Sequence, residues 1–306
     1  MIDTLAFLTT IHQADLEAVR AVGRVLPEVA RAVDAIDARL DAGGRWITAG
    51  AGTSGRLGVL DASELPPTFG VDPRLVTGLV AGGSEALVTA VEGAEDDEAR
   101  GAEDVKLAGV TSRDVVLGIA ASGSTPYVAG ALGWAKEIGA LTLALVCAPA
   151  SRLASIADLA IVVETGPEVL RGSTRMKAGT AQKLVLNMLS TAVMARRGLV
   201  WRGEMVAMRP TNVKLKRRAV EIVGRVLALP PGPAERLLEK AGWVLPVALV
   251  SGMWDLPVEK AKEPTRARTV AETRAVRRLG QSWRHRRKTM ETVTAPRRAT
   301  TSWEEG

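Results

Sequence analysis

Cysteine is almost missing. Cys147 is the only one in 306 residues, so the chain can form no internal disulfide and no thiolate metal cluster. Set in the apolar run LTLALVCAP, this thiol reads as a buried structural group. Histidine is nearly as scarce. His12 and His285 lie far apart, which leaves a histidine metal site or a Ser-His-Asp triad poorly supplied. No stretch of about 18 apolar residues is free of charge, and the N-terminus lacks the basic-then-apolar order of a signal peptide. The expectation is a soluble cytoplasmic chain without a membrane partner. Acidic residues fall short by a net charge of +6, but the deficit is local. Residues 261–306 hold 12 Lys and Arg against 5 Asp and Glu, leaving 28 against 29 in residues 1–260. Basicity is therefore a property of the tail, and because arginine runs are usually solvated no nucleic-acid partner is expected.

What is present supports a sizeable core: 47% of residues are hydrophobic. The first 40 residues place apolar side chains at helical spacing and close on Gly43-Gly44, which predicts two N-terminal helices. Five β-prone runs follow: WITAG (46–50), LVTGLV (75–80), DVVLGIA (114–120), LTLALV (141–146) and LAIVV (159–163). Helix-like stretches lie between them at Ser84–Ala94, Pro126–Ile138 and Ala154–Ala157, and a long helix is expected over Ala178–Arg197. Strands that are apolar nearly throughout, alternating with helices, predict an α/β fold: a doubly wound, five-stranded parallel sheet with helices on both faces. The expected domains are N-terminal helices (1–40), a sheet domain (41–211) and a small C-terminal helical subdomain (212–262) interrupted by Pro230-Pro231-Gly232-Pro233. Residues 263–306 are expected to be a basic, disordered tail.

In parallel sheets ligands bind beyond the carboxyl ends of the strands, so the loops there carry the argument. The first is GAGTSGRLG (50–58), which satisfies G-x-G-x-x-G. A dinucleotide site would also need an acidic residue ending the second strand, and Ala-Gly-Gly stands there instead. Gly52, Thr53 and Ser54 at a helix start suit a phosphate monoester better, though an N-cap alone would explain the hydroxyls. A second such loop, AASGSTPYV (120–128), puts Ser122, Ser124 and Thr125 ahead of Pro126, a residue favoured at the first helical position. A third, GPEVLRGSTRMKAGTAQK (166–183), combines Glu168, Ser173, Thr174, Arg175 and Lys177 before the long helix. Spacing alone leaves it open between ligand contacts and a capped helix with solvated charges. Two acidic stretches are compatible with lining the same pocket: DASELPPTFG with Glu64, where Pro66-Pro67 should stop a short helix, and VEGAEDDEA with Glu92, Glu95 and Asp96.

Four strings, GAGTSGRLGVLDASELPPTFGV, AVEGAED, GIAASGSTPYV and GPEVLRGSTRMKAGTAQKLVLNMLST, together resemble the N-acetylmuramic acid 6-phosphate etherase family, of the sugar-isomerase (SIS) domain group and similar to the glucokinase regulatory protein. The resemblance runs from about residue 3 to residue 262. It implies a cytoplasmic homodimer in cell-wall recycling that converts N-acetylmuramic acid 6-phosphate and water into N-acetylglucosamine 6-phosphate and D-lactate, without metal or organic cofactor. It also implies Glu64 and Glu95 as the catalytic pair, with Thr53, Ser54, Ser122, Ser124 and Thr125 as phosphosugar contacts. By the same resemblance about twenty further residues before Thr4 and a helical ending after Lys262 would be expected. A sugar-phosphate isomerase, or a sensor that binds phosphosugar without turnover, would share the loops but not the need for a second acid.

Overall fold

The structure, a computed structural model, describes residues 2–266; the tail expected from residue 263 lies almost entirely outside them. Two helices open the chain, α1 (Thr4–Arg24), capped by the Asp3 carboxylate, and α2 (Leu26–Asp41). The sheet follows as β1 (Trp46–Gly50), β2 (Val76–Val80), β3 (Val115–Ala120), β4 (Leu141–Val146) and β5 (Leu159–Val162), all parallel in the order β2-β1-β3-β4-β5. All five runs match the sequence expectation within one residue at each end, and Trp46–Gly50 and Leu141–Val146 match outright. Every residue of β1 and β3 is buried, which is why these strands read as unbroken apolar runs.

Helices cover both faces. Between β1 and β2 runs α3 (Gly52–Phe69), and α4 (Glu98–Leu107) precedes β3. After β3 comes α5 (Pro126–Glu137), then α6 (Arg152–Ile156) and, following β5, α7 (Lys177–Arg196). On one face α3 packs so closely that a Cβ at Gly58 would fall 2.7 Å from Thr48 Oγ1 and 3.1 Å from Ile119 Cδ1. On the other face a Cβ at Gly118 would meet Val128 and Leu132 of α5 at 2.6 and 2.8 Å. Consecutive connections from β1 and β3 thus leave on opposite sides of the sheet. The base of the sheet is tied by Asp114, which accepts from the backbone N–H groups of Arg45 (2.6 Å) and Thr111 (2.8 Å) and from the Arg45 guanidinium (3.0 Å).

Two expectations fail. Ser84–Ala94 is not a helix; only short 3₁₀ turns form, at Gly83–Leu87 and Ala94–Asp96. Val88, Thr89 and Val91 are β-branched, and Ala86 is buried while Leu87, Val88 and Val91 stay exposed, so ordering a helix here would gain little apolar burial in return. Pro66-Pro67 does not stop α3 either. Prolines in the last turn remove only the donors to the carbonyls of residues 62 and 63, and their fixed φ is itself helical. The helix ends instead at Gly70, whose φ of +67° and close approach to the Ala207 carbonyl, 2.2 Å from a Cβ placed there, admit no side chain.

Contacts within the chain define two compact units, the first ending at Val193 and the second made of Pro67–Gly70 and the chain from Met194. The second contains α8 (Val213–Leu227), α9 (Pro231–Lys240), α10 (Leu245–Trp254) and α11 (Val258–Arg266), around a core that includes Ile222, Val223, Leu238, Leu245 and Leu249. No helix among the described residues is long and apolar enough to cross a membrane.

Candidate active site

With the strand order β2-β1-β3-β4-β5, the chain reverses direction across the sheet between β1 and β3, which places a crevice beyond their carboxyl ends. Both hydroxyl loops open there. At the end of β1 the chain folds back on itself: a Cβ on Gly55 would lie 2.6 Å from the Gly50 carbonyl oxygen, so only glycine fits. The bond from Gly55 N–H to Ala51 O is the first of the turn, leaving the amides of Gly52, Thr53 and Ser54 at the start of α3 with no carbonyl one turn back in the helix. Such amides, with the positive end of the helix dipole, suit an anion. Thr53 is half-buried there. Ser54 is buried and its hydroxyl donates to Gln182 Oε1 of α7 at 2.9 Å. The sequence treats the two hydroxyls alike; the structure gives Ser54 a partner 128 residues away.

Beyond β3, Gly123 takes a φ of +68° against Ser151, where a Cβ would meet the Ser151 Cβ at 2.3 Å. This turn leaves Ser122 and Ser124 exposed, with their hydroxyls 3.1 Å apart and the Ser124 N–H donating to Ser122 Oγ at 3.3 Å. Thr125 precedes Pro126 at the start of α5 but makes no side-chain cap bond.

The third loop behaves differently. The Glu168 carboxylate accepts from the backbone N–H groups of Lys177 (3.0 Å) and Ala178 (3.1 Å) and so caps α7. Lys177 is 3% exposed, and its ammonium donates to Glu17 of α1 at 3.0 Å and to the Pro167 carbonyl at 3.4 Å. Together with Thr9, Gln13 and Thr165 these groups line a cavity of about 480 Å³. Ser173 is half-buried in the turn before α7, its backbone N–H bonded to Leu170 O. Of the two readings open for this loop, the capped helix accounts for Glu168.

Glu64 lies on α3, in the helix that the first loop opens, and its side chain is exposed. Glu95 sits in the Ala94–Asp96 turn after β2 and is exposed too. Cys147 is half-buried rather than fully buried as expected; burial pushes its thiol up to about 12, Glu168 adds to the rise and a Thr165 hydrogen bond only partly offsets it. Among the described residues no group of His, Cys, Asp and Glu is arranged to hold a metal ion.

The model of the glucokinase regulatory protein N-terminal SIS domain matches residues 28–136, and that of the SIS domain matches residues 88–192. Curated relatives extend the likeness over most of the chain. N-acetylmuramic acid 6-phosphate etherase from Erwinia tasmaniensis is 50% identical over 85% of this chain and 85% of its own length. Its namesakes from Pectobacterium atrosepticum (50% identical over 86% of each chain) and Jannaschia sp. (51%, over 81% of this chain and 79% of that one) agree. The chain belongs to the N-acetylmuramic acid 6-phosphate etherase family. As an etherase-family SIS protein it carries its hydroxyl loops and both glutamates within residues 28–136, the span of the first domain match.

One contact beside Glu64 in this etherase-family chain escapes sequence reasoning. Asp61, three residues before Glu64, has a carboxyl group that accepts on one oxygen from Asn187 Nδ2 and Ser190 Oγ of α7, each at 3.1 Å. Burial raises its pKa to about 6, while the bonds from Ser190 and Asn187 and the charge of Lys183 lower it. The string DASE draws attention to its glutamate; only the long-range contact with α7 marks the aspartate.

Proposed function

We propose that this chain cleaves the D-lactyl ether of N-acetylmuramic acid 6-phosphate by elimination followed by hydration, giving N-acetylglucosamine 6-phosphate and D-lactate. The observation that carries this reading is about half-identity across most of both chains to proteins named for that reaction. The site's chemistry supports it. Exposed hydroxyls at Ser122 and Ser124, half-buried Thr53 and the amides opening α3 offer neutral donors to a phosphate monoester at the strand ends, with Gly52 leaving the backbone open to it. Glu168, Ser173 and Lys177 shape the neighbouring wall.

In the open-chain sugar the aldehyde acidifies the proton on carbon 2. Glu95 removes that proton while Glu64, as the neutral acid, gives a proton to the lactyl oxygen, and the bond from carbon 3 to that oxygen breaks. The product is a 2,3-unsaturated aldehyde and D-lactate. Water then adds at carbon 3 with Glu64 as base, and Glu95 returns a proton to carbon 2. Both carboxyls are exposed in the single chain, and in this reading the bound sugar and a second copy in a homodimer enclose them. No organic cofactor or metal enters this sequence of steps. A dimer acting on an intracellular sugar phosphate fits a cytoplasmic location.

The test is release of D-lactate from N-acetylmuramic acid 6-phosphate by the purified chain, with N-acetylglucosamine 6-phosphate formed in equal amount. Conversion of an aldose phosphate to a ketose without lactate would replace this reading by an isomerase. Saturable binding with no product at all would replace it by a phosphosugar sensor.

A further inference from the structure

Polar side chains bridge the seam between α3 and α7 at two places. Ser54 donates to Gln182 near its start, and seven residues further along α3 Asp61 accepts from Asn187 and Ser190, five and eight residues beyond Gln182. Seven residues are about two turns, so Ser54 and Asp61 lie on one face of α3. Ser190 is 3% exposed, Asp61 is half-buried and Asn187 is exposed. Lys183 faces the same carboxylate from α7, and burial still holds its proton more tightly than in water. A charged acceptor in such a seam is less stable than an apolar side chain of similar size. What it supplies is direction, since two donors from one helix converge on one oxygen of the other.

Glu64 stands one turn further along α3 and makes no side-chain hydrogen bond or ion pair to any described residue. Its carboxyl group therefore takes its placement from the helix, and the helix takes its placement from the seam. We propose that Asp61 is a positioning residue for ether cleavage, clamping α3 to α7 through Asn187 and Ser190 so that Glu64 is presented to the lactyl oxygen. The inference rests on the role assigned above to Glu64.

The experiment compares D-lactate release and thermal unfolding in the parent chain, Asp61→Ala, Asp61→Asn and the pair Asn187→Ala with Ser190→Ala. Loss of the clamp misplaces the acid rather than the sugar, so Asp61→Ala should lower kcat about tenfold or more and leave KM within about twofold. Asp61→Asn keeps an acceptor oxygen and should return kcat to within about threefold of the parent. Adding Asp61→Ala to the Asn187 and Ser190 pair should cost little more than either change alone, because all three act through one contact. A structural role would lower Tm and the folded fraction without changing kcat per folded molecule. Parental kcat in Asp61→Ala, a loss that merely follows the folded fraction, or an Asp61→Asn as slow as Asp61→Ala would each overturn the inference while leaving the etherase reading intact. Absence of D-lactate from the parent chain would overturn the etherase reading, and this inference with it.

Discussion

Glu64 and Glu95 are assigned to different atoms of the substrate, and that difference can be measured. Replacing a general acid or base costs on the order of 10²–10⁴ in rate. Glu64→Gln should lose D-lactate release to that extent while still binding the sugar phosphate, followed by ligand-induced stabilisation. Glu95→Gln should in addition lose exchange of the carbon 2 proton with deuterated solvent. Persistent exchange in Glu95→Gln would remove it as the base. Ser124 and Ser54, in the two loops proposed to hold the phosphate, separate in another way. Ser124 is exposed, so Ser124→Ala should raise KM with little change in Tm. Ser54 is buried against Gln182, whose Nε2 already lacks a partner among the described residues, so Ser54→Ala should chiefly lower stability, by about 1–3 kcal/mol. Equal effects of both changes on KM, with Tm unmoved, would show that both hydroxyls serve the ligand. Residue types at the site were legible in the chain because glycine, hydroxyl and proline signals are local. The Ser54–Gln182 and Asp61–Asn187 contacts were not, because a hydrogen bond between positions more than a hundred residues apart leaves no mark in either local stretch.

Strands were the most legible elements. Burial on both faces demands apolar residues at every position, and a run such as VVLGIA between turn residues meets that demand in few other ways. Helices depended on having a face to bury. Pro126–Glu137 does, with Tyr127, Val128, Ala131, Leu132 and Ala135 all buried, and it was found to within one residue. The 84–94 stretch buries Ala86 but leaves Leu87, Val88 and Val91 exposed, a fact that resides in the rest of the molecule. The third loop shows how an element can claim a residue that chemistry also wants. Glu168 satisfies two amides at the start of α7, so Glu168→Ala should lower stability by about 1–2 kcal/mol. Glu168→Gln, which keeps an acceptor oxygen, should recover part of it. Unchanged melting of Glu168→Ala together with a higher KM would instead return Glu168 to the ligand.

For the whole molecule the body's near-neutral charge at pH 7 keeps gross repulsion small near neutrality, so carboxyl groups with shifted values set the pH dependence there. Asp61 ionises near 6 in the folded chain against 3.8 as an isolated group, with burial the leading cause. Between those values the folded state holds the extra proton, so stability falls as pH rises through the window; the penalty is complete above about 6 and absent below 3.8. Asp114 and Asp158 act in the opposite sense. Burial works to raise them, but it is outweighed at Asp114 by the amides of Thr111 and Arg45 and the Arg45 guanidinium, and at Asp158 by Thr142 and Lys136. Both are held below their ordinary value, so the stability they bring is present above 3.8 and is lost as pH falls further through their folded values. The stability curve should therefore climb from neutral pH toward pH 5 and turn down below about 4. Melting followed by circular dichroism from pH 3 to 8 checks both limbs. Asp61→Asn should melt higher than the parent at pH 7, by on the order of 2 kcal/mol, and show no gain between pH 7 and 5. Asp114→Asn should keep that gain, start from a lower Tm and have a shallower acid limb. A parent whose Tm falls steadily from pH 7 to 5, in step with Asp61→Asn, would mean that the carboxyl group between α3 and α7 is ionised as freely as one in water.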